Sequence, residues 1–213
     1  MRGLCLHGMK CTTEIWREIA DWFSQHEIEF VEYPHSILQN AKTPGNLTNW
    51  FLDIYQDSYE VIIGHSMGGI IALEAAARRP EITGNVIMID TNVKPAGSFY
   101  RNLMMPKHET QWMDFFTKMC AQEESYYADA LKAALQKDFD YTTYIKQITY
   151  KIHVIYGDRG RPDYVQRLDD LHLESAILDR LDIRFVKDSC HLPMLENPLD
   201  LVSIIQSCIQ ETR

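Results

Sequence analysis

No stretch of this chain approaches the ~20 consecutive apolar residues that a membrane-spanning helix needs. A bilayer-embedded protein is therefore not expected. The amino end, MRGLCLHG, also lacks the basic, apolar and cleavable layout of a secretory leader and reads as a strand. Cysteines are few and odd in number, Cys5, Cys11, Cys120, Cys190 and Cys208, and none stands in C-x-x-C spacing. They offer no disulfide framework or redox motif, and a reducing cytoplasmic setting fits them. Basic residues are outnumbered, 21 Lys and Arg against 30 Asp and Glu, for a formal net charge of −9 with no basic stripe. Nucleic acid, whose phosphates require such a stripe, is not an expected partner. Low-complexity tracts, linkers and internal repeats are missing too, so the 213 residues read as one domain, 1–213.

What the chain does have is alternation. Short aliphatic runs, GLCLHG, IEFVEYP, EVIIGHS, NVIMIDT, KIHVIYGD and DIRFVKDS, are separated by helical patterns in TEIWREIADWFSQH, around LTNWFLDIY, after EVIIGHS, within residues 95–148, in DYVQRLDDLHLESAIL and in PLDLVSIIQSCIQ. Strand-helix alternation of this kind predicts an α/β fold with a parallel sheet covered by helices on both faces. Ligands of such sheets bind at the carboxyl ends of the strands. His7-Gly8, Ser66, Asp90, Asp158 and His191 all fall at those ends.

Gly64-His-Ser-Met-Gly68 reads G-x-S-x-G between an aliphatic run and the Ala-rich IIALEAAARR. In that pattern a strained strand-to-helix turn, the nucleophile elbow, lifts a serine hydroxyl above the sheet. GHSMGG lacks the Lys-Ser/Thr of a phosphate loop and the spacing of a dinucleotide fingerprint. No His/Cys group has zinc-ligand spacing, so neither metal nor organic cofactor is expected.

LHG with Trp16 nine residues after His7, then GHSMGG, VIMID, VIYGD and SCHLPMLENP, together resemble the α/β-hydrolase family over nearly the whole chain. Family members often begin with two further strands, whereas LCLHG starts near Met1, so the resemblance implies a trimmed, six-stranded, all-parallel sheet. It implies a catalytic triad with Ser66 as nucleophile and His191 as general base, and an oxyanion hole formed by the backbone N–H groups of Met67 and Met9, with Gly8 small enough to let substrate approach. His65 is expected to point away from the site by alternation, and His7 to brace the loop before Gly8.

The acid departs from the family pattern, because the usual position, three residues after Gly157, is Gly160. Asp158, one residue after Gly157, and Asp90, at the end of VIMID, both stand as candidates. Some relatives, such as certain haloalkane dehalogenases, resemble the second arrangement. Asp163 is assigned instead to the first turn of the following helical pattern. The family inserts a short helical cap at about residues 95–148, where Met104, Met105, Trp112 and Phe116 belong to a partly helical stripe that reads as core or as pocket lining. The resulting expectation is a cytoplasmic serine esterase or thioesterase acting on a small molecule with an apolar acyl or aromatic portion. A hydrolase-like receptor with little turnover, and C–C hydrolase or lyase chemistry, are the alternatives the same fold allows.

Overall fold

The six aliphatic runs are the six strands: β1 (Arg2–Leu6), β2 (Glu27–Val31), β3 (Val61–His65), β4 (Val86–Ile89), β5 (Ile152–Gly157) and β6 (Leu181–Val186). In the computed structural model, which describes residues 1–136 and 138–211, they pair in the order β2-β1-β3-β4-β5-β6, every pair parallel. The chain leaves β1 for the β2 edge and then returns to build outward from β3. The β1/β3 boundary is therefore the switch point, where the loops beyond the two strands diverge and open a crevice.

Ten helices accompany the strands among the described residues: α1 (Ala20–Phe23), α2 (His35–Leu38), α3 (Pro44–Ile54), α4 (Met67–Arg78), α5 (Pro106–Glu123), α6 (Asp129–Ala134), α7 (Thr142–Gln147), α8 (Ser175–Leu178), α9 (Pro193–Glu196) and α10 (Pro198–Glu211). Successive strand side chains point to opposite faces, and the burial follows that period. Ile62, Val86, Met88 and Val154 enter one core with Phe51 of α3, Ile71 of α4 and Ile145 of α7. Val61, Ile63, Ile87 and Ile89 enter the other with Phe23 of α1, Trp112 of α5 and Ile205 of α10. Both faces of the sheet are thus covered.

Two stretches depart from their helical patterns. Residues 13–26 divide into a 3-10 turn, Thr13–Trp16, and the short α1, with a break at Ile19 (φ −118°, ψ 1°). Between residues 163 and 178 there are two 3-10 turns and α8, and Asp163 is an exposed turn residue rather than part of a helical first turn. Val165 and Leu168 are 90% and 42% exposed while Leu171 and Ile177 are buried, so only part of the apolar stripe reaches the core, and His172 turns left-handed at φ 54° between the two parts. A stripe buried only in part does not hold one continuous helix.

Candidate active site

Ser66 occupies the turn between β3 and α4 with φ 52° and ψ −117°, a conformation costly for a residue with a Cβ. The flanking backbone enforces it. Ser66 N–H donates to Ile89 O at 3.0 Å, and Thr91 Oγ1 donates to Ser66 O at 3.2 Å. At Gly68, an added Cβ would lie 2.3 Å from Leu6 O and 2.7 Å from His7 O, so only glycine lets α4 start this close to the end of β1. An added Cβ at Gly8 would lie 3.2 Å from Ser66 Cβ, which places the loop after β1 directly beside the serine. Met67 opens α4, so its N–H has no intrahelical acceptor. Met9 follows in the turn closed by Cys11 N–H donating to Gly8 O at 3.2 Å.

His191, in the loop after β6, places Nδ1 2.9 Å from Oδ1 of Asp90 at the end of β4. Asp90 is fully buried, with four donors around its two oxygens. Arg159 Nη2 donates to Oδ1 and Nη1 to Oδ2, each at 2.8 Å, while Gly157 N–H donates to Oδ2 at 3.1 Å. Burial alone would push the Asp90 carboxyl up, but the Arg159 guanidinium and His191 outweigh it and hold the group well below the usual carboxylate range. An ionised carboxylate only accepts, so the proton of neutral His191 sits on Nδ1 and Nε2 keeps its lone pair. His65 has the complementary arrangement: Nε2–H donates to His191 O at 2.9 Å and the ring packs 4.8 Å from the His191 ring. Burial, with His191 adding to it, pushes His65 down to about 3, so it stays neutral. His7 braces its loop through Nε2 to Glu32 Oε1 at 3.0 Å.

Of the two candidate acids, then, the structure brings Asp90 to His191. Asp158 is spent elsewhere: its Oδ1 accepts Gly160 N–H at 2.8 Å and Asp188 N–H at 2.7 Å, tying together the loops after β5 and β6. Two buried residues of the site had no sequence signal of their own. One is Arg159. The other is Glu196, whose Oε2 accepts Cys190 N–H at 2.8 Å and Leu192 N–H at 3.3 Å, and whose Oε1 accepts Met105 N–H at 2.6 Å. Glu196 thereby clamps the chain on either side of His191.

A cavity of about 150 Å³ opens between these parts, lined by Met9, Ser66, Met67, Ile70, Asp90, Asn92, Leu135, Phe139 and His191. Met104, Met105, Trp112 and Phe116 are not brought to it. Met104 and Trp112 sit in the core with Ile63, Ile89 and Met194, Phe116 packs against that core, and the Met105 side chain lies over Gly160. The reason is that α5 spends its apolar stripe on covering the sheet, leaving the roof to Leu135 and Phe139 further along. Folding also assembles a group that no sequence spacing announced. His153, Asp182 and Cys208 have donor atoms all within 4.8 Å of one another, at the opposite end of the sheet, with Asp182 Oδ2 already taking Arg184 Nε at 2.7 Å.

Six parallel strands, helices on both faces and a serine on a strained turn after β3 define an α/β-hydrolase. The family model Esterase ("Putative esterase") matches residues 51–175, more than half of the chain, and the chain belongs to that family. It is a hydrolase acting on ester bonds. No curated protein matches it. Among solved structures it is similar to a bacterial membrane phospholipase A (19% identity, TM-score 0.76, 100% of this chain and 79% of that one). It is also similar to a thermophilic esterase from Thermogutta terrifontis (14%, TM-score 0.72, 100% and 90%) and to the thioesterase domain of the curacin biosynthetic pathway (14%, TM-score 0.65, 96% and 90%). At these identities the likeness is one of fold. No helix among the described residues is long and apolar enough to cross a membrane.

Proposed function

We propose that Ser66 is the nucleophile, His191 the general base and acid, and Asp90 the orienting carboxylate in hydrolysis of a carboxylic ester or thioester through an acyl-enzyme. The observation that carries this reading is the 2.9 Å contact between His191 and buried Asp90, at a cavity that Ser66 and His191 both line. His191 Nε2 takes the Ser66 proton as Oγ bonds to the carbonyl carbon, and the carbonyl π electrons move to oxygen. The N–H groups of Met67 and Met9 receive that oxyanion. Its collapse expels an alkoxide or thiolate, which leaves with the proton from His191, and water repeats the sequence to free the acid and Ser66. Asp90 fixes the tautomer and stabilises the imidazolium. The contact of Asp90 with His191 supports a triad despite Gly160, the departure that motivated the receptor reading.

The substrate class follows from the walls. Met9, Ile70, Leu135 and Phe139 are apolar and, among the described residues, no Lys or Arg lines the cavity, which suits an uncharged acyl group. A volume of about 150 Å³ equals roughly five waters at about 30 Å³ each, and so admits an acyl group of about that many heavy atoms. Leu135 and Phe139 come from residues 95–148, which serve as the cap of a single domain. Intact-mass analysis after a fluorophosphonate probe tests the reading: one adduct on the wild type and none on Ser66→Ala are expected. Ester turnover that survived Ser66→Ala would overturn it.

A further inference from the structure

The loop after β5 carries an arginine that a hydrolase triad does not require. Arg159 has a side chain 1% exposed, and the Asp90 side chain it clamps is fully enclosed. Both residues hold positive φ, 55° for Arg159 and 40° for Asp90, where the backbone is costly for a residue with a Cβ. The guanidinium is further fixed by Nη1 donating to Gly157 O at 2.5 Å and by the rings of Tyr100 and Phe99, 5.2 and 5.6 Å from Cζ. Asp90 Oδ1 is shared: the oxygen that accepts Nδ1–H of His191 also accepts Nη2–H of Arg159.

Resting on the reading of Ser66, His191 and Asp90 given above, we propose that Arg159 is a positioning residue for the reaction. It holds both carboxylate oxygens of Asp90 in its fork and so aims Oδ1 at His191 Nδ1. A carboxylate gripped at both oxygens by a planar guanidinium cannot rotate about its Cβ–Cγ bond, whereas a lone aspartate could turn Oδ1 away from the imidazole.

The other groups facing this pair do not supply the countercharge. His65, on the end of β3, is neutral, and burial pushes the Cys190 thiol up to about 12. Burial likewise raises the phenols of Tyr100, before α5, and Tyr156, on β5. Asp158 is turned to Gly160 and Asp188, and Glu196 to the backbone of Met105, Cys190 and Leu192. Arg159 is the cation in contact with Asp90 among the described residues.

The test is kcat and KM for a short p-nitrophenyl ester at neutral pH, measured on the wild type, Arg159→Gln, Arg159→Lys and Ser66→Ala, with active sites counted by a fluorophosphonate. For Arg159→Gln, kcat per active site is expected to fall about tenfold or more with KM unchanged. Arg159→Lys keeps the charge but loses the fork; its kcat should also fall, by less, with KM again unchanged. Should Arg159→Gln fail to fold, Arg159→Lys alone decides, and unaltered kcat there would overturn the proposal. A folded Arg159→Gln whose kcat per active site equals that of the wild type would overturn it as well, since a merely structural arginine alters yield and stability without slowing the folded fraction. Ser66→Ala separates the two levels: if it still turns over ester, the underlying mechanism fails, whereas an inactive Ser66→Ala with an unaltered Arg159→Gln kcat removes only the role of Arg159.

Discussion

His65 shows how a residue beside the chemistry can matter for stability rather than for turnover. It is buried and neutral, held by its bond to His191 O, and in the folded protein it titrates at about 3. Unfolded, a histidine titrates near ~6.5. Between those values the unfolded chain binds a proton that the folded chain refuses, so unfolding takes up a proton and stability falls as pH is lowered. The slope approaches about 1.4 kcal/mol per pH unit from this one group, and the contribution is fully present above about pH 6.5. Urea unfolding of wild type and His65→Gln between pH 7 and 5 should give a flatter dependence in the variant. Equal slopes would assign the acid sensitivity elsewhere. Arg159, another buried ionisable residue of the site, had no pattern to be read from: a charge in a short loop is ordinarily solvated, and only the converging ends of β4, β5 and β6 make it a buried one.

At the scale of elements, the turn from β3 into α4 is held by close approach. Gly68→Ala would press a methyl against the carbonyls of Leu6 and His7, both backbone atoms that cannot step aside. A loss of about 1–3 kcal/mol is expected, read as a lowered urea midpoint. Gly8→Ala meets side chains instead, His65 Nδ1 at 2.9 Å and Ser66 Cβ at 3.2 Å. That variant should keep more of its stability while losing esterase activity, and the reverse ranking would contradict the placement of the loop after β1 directly beside Ser66. The strands were legible because buried parallel strands are near-continuous aliphatic runs, and Ser66 because its turn needs glycines at fixed spacing. Residues 163–178 were misleading, since periodicity reports an apolar stripe and not how much of it reaches the core: Leu171 and Ile177 do, Val165 and Leu168 do not. Likewise the stripe of Met104, Trp112 and Phe116 fits a helix equally well over a core or over a pocket, and only the path of α5 assigns it to the core.

For the molecule as a whole, the site is assembled from residues far apart in the chain. Asp90 and His191 are separated by 101 positions, so no local spacing could choose between Asp90 and Asp158. What chose was sheet order: β4 lies between β3, which carries Ser66, and β5, whose following loop brings Arg159. The roof over this junction comes from Leu135 and Phe139, and in the proposed reaction it would limit the acyl group. Phe139→Ala should raise kcat/KM for longer acyl esters relative to short ones by about tenfold, the effect of a few methylenes in an apolar pocket. An unaltered chain-length preference would place the acyl group elsewhere. The measurement that bears most directly on the mechanism is kcat/KM for one short ester with Asp90→Asn and Asp158→Asn side by side. Asp90→Asn is expected to fall by about 10⁴-fold, because the wrong His191 tautomer is then favoured, while Asp158→Asn stays within about tenfold of the wild type. Equal losses, or a larger loss for Asp158→Asn, would contradict Asp90 as the acid that orients His191.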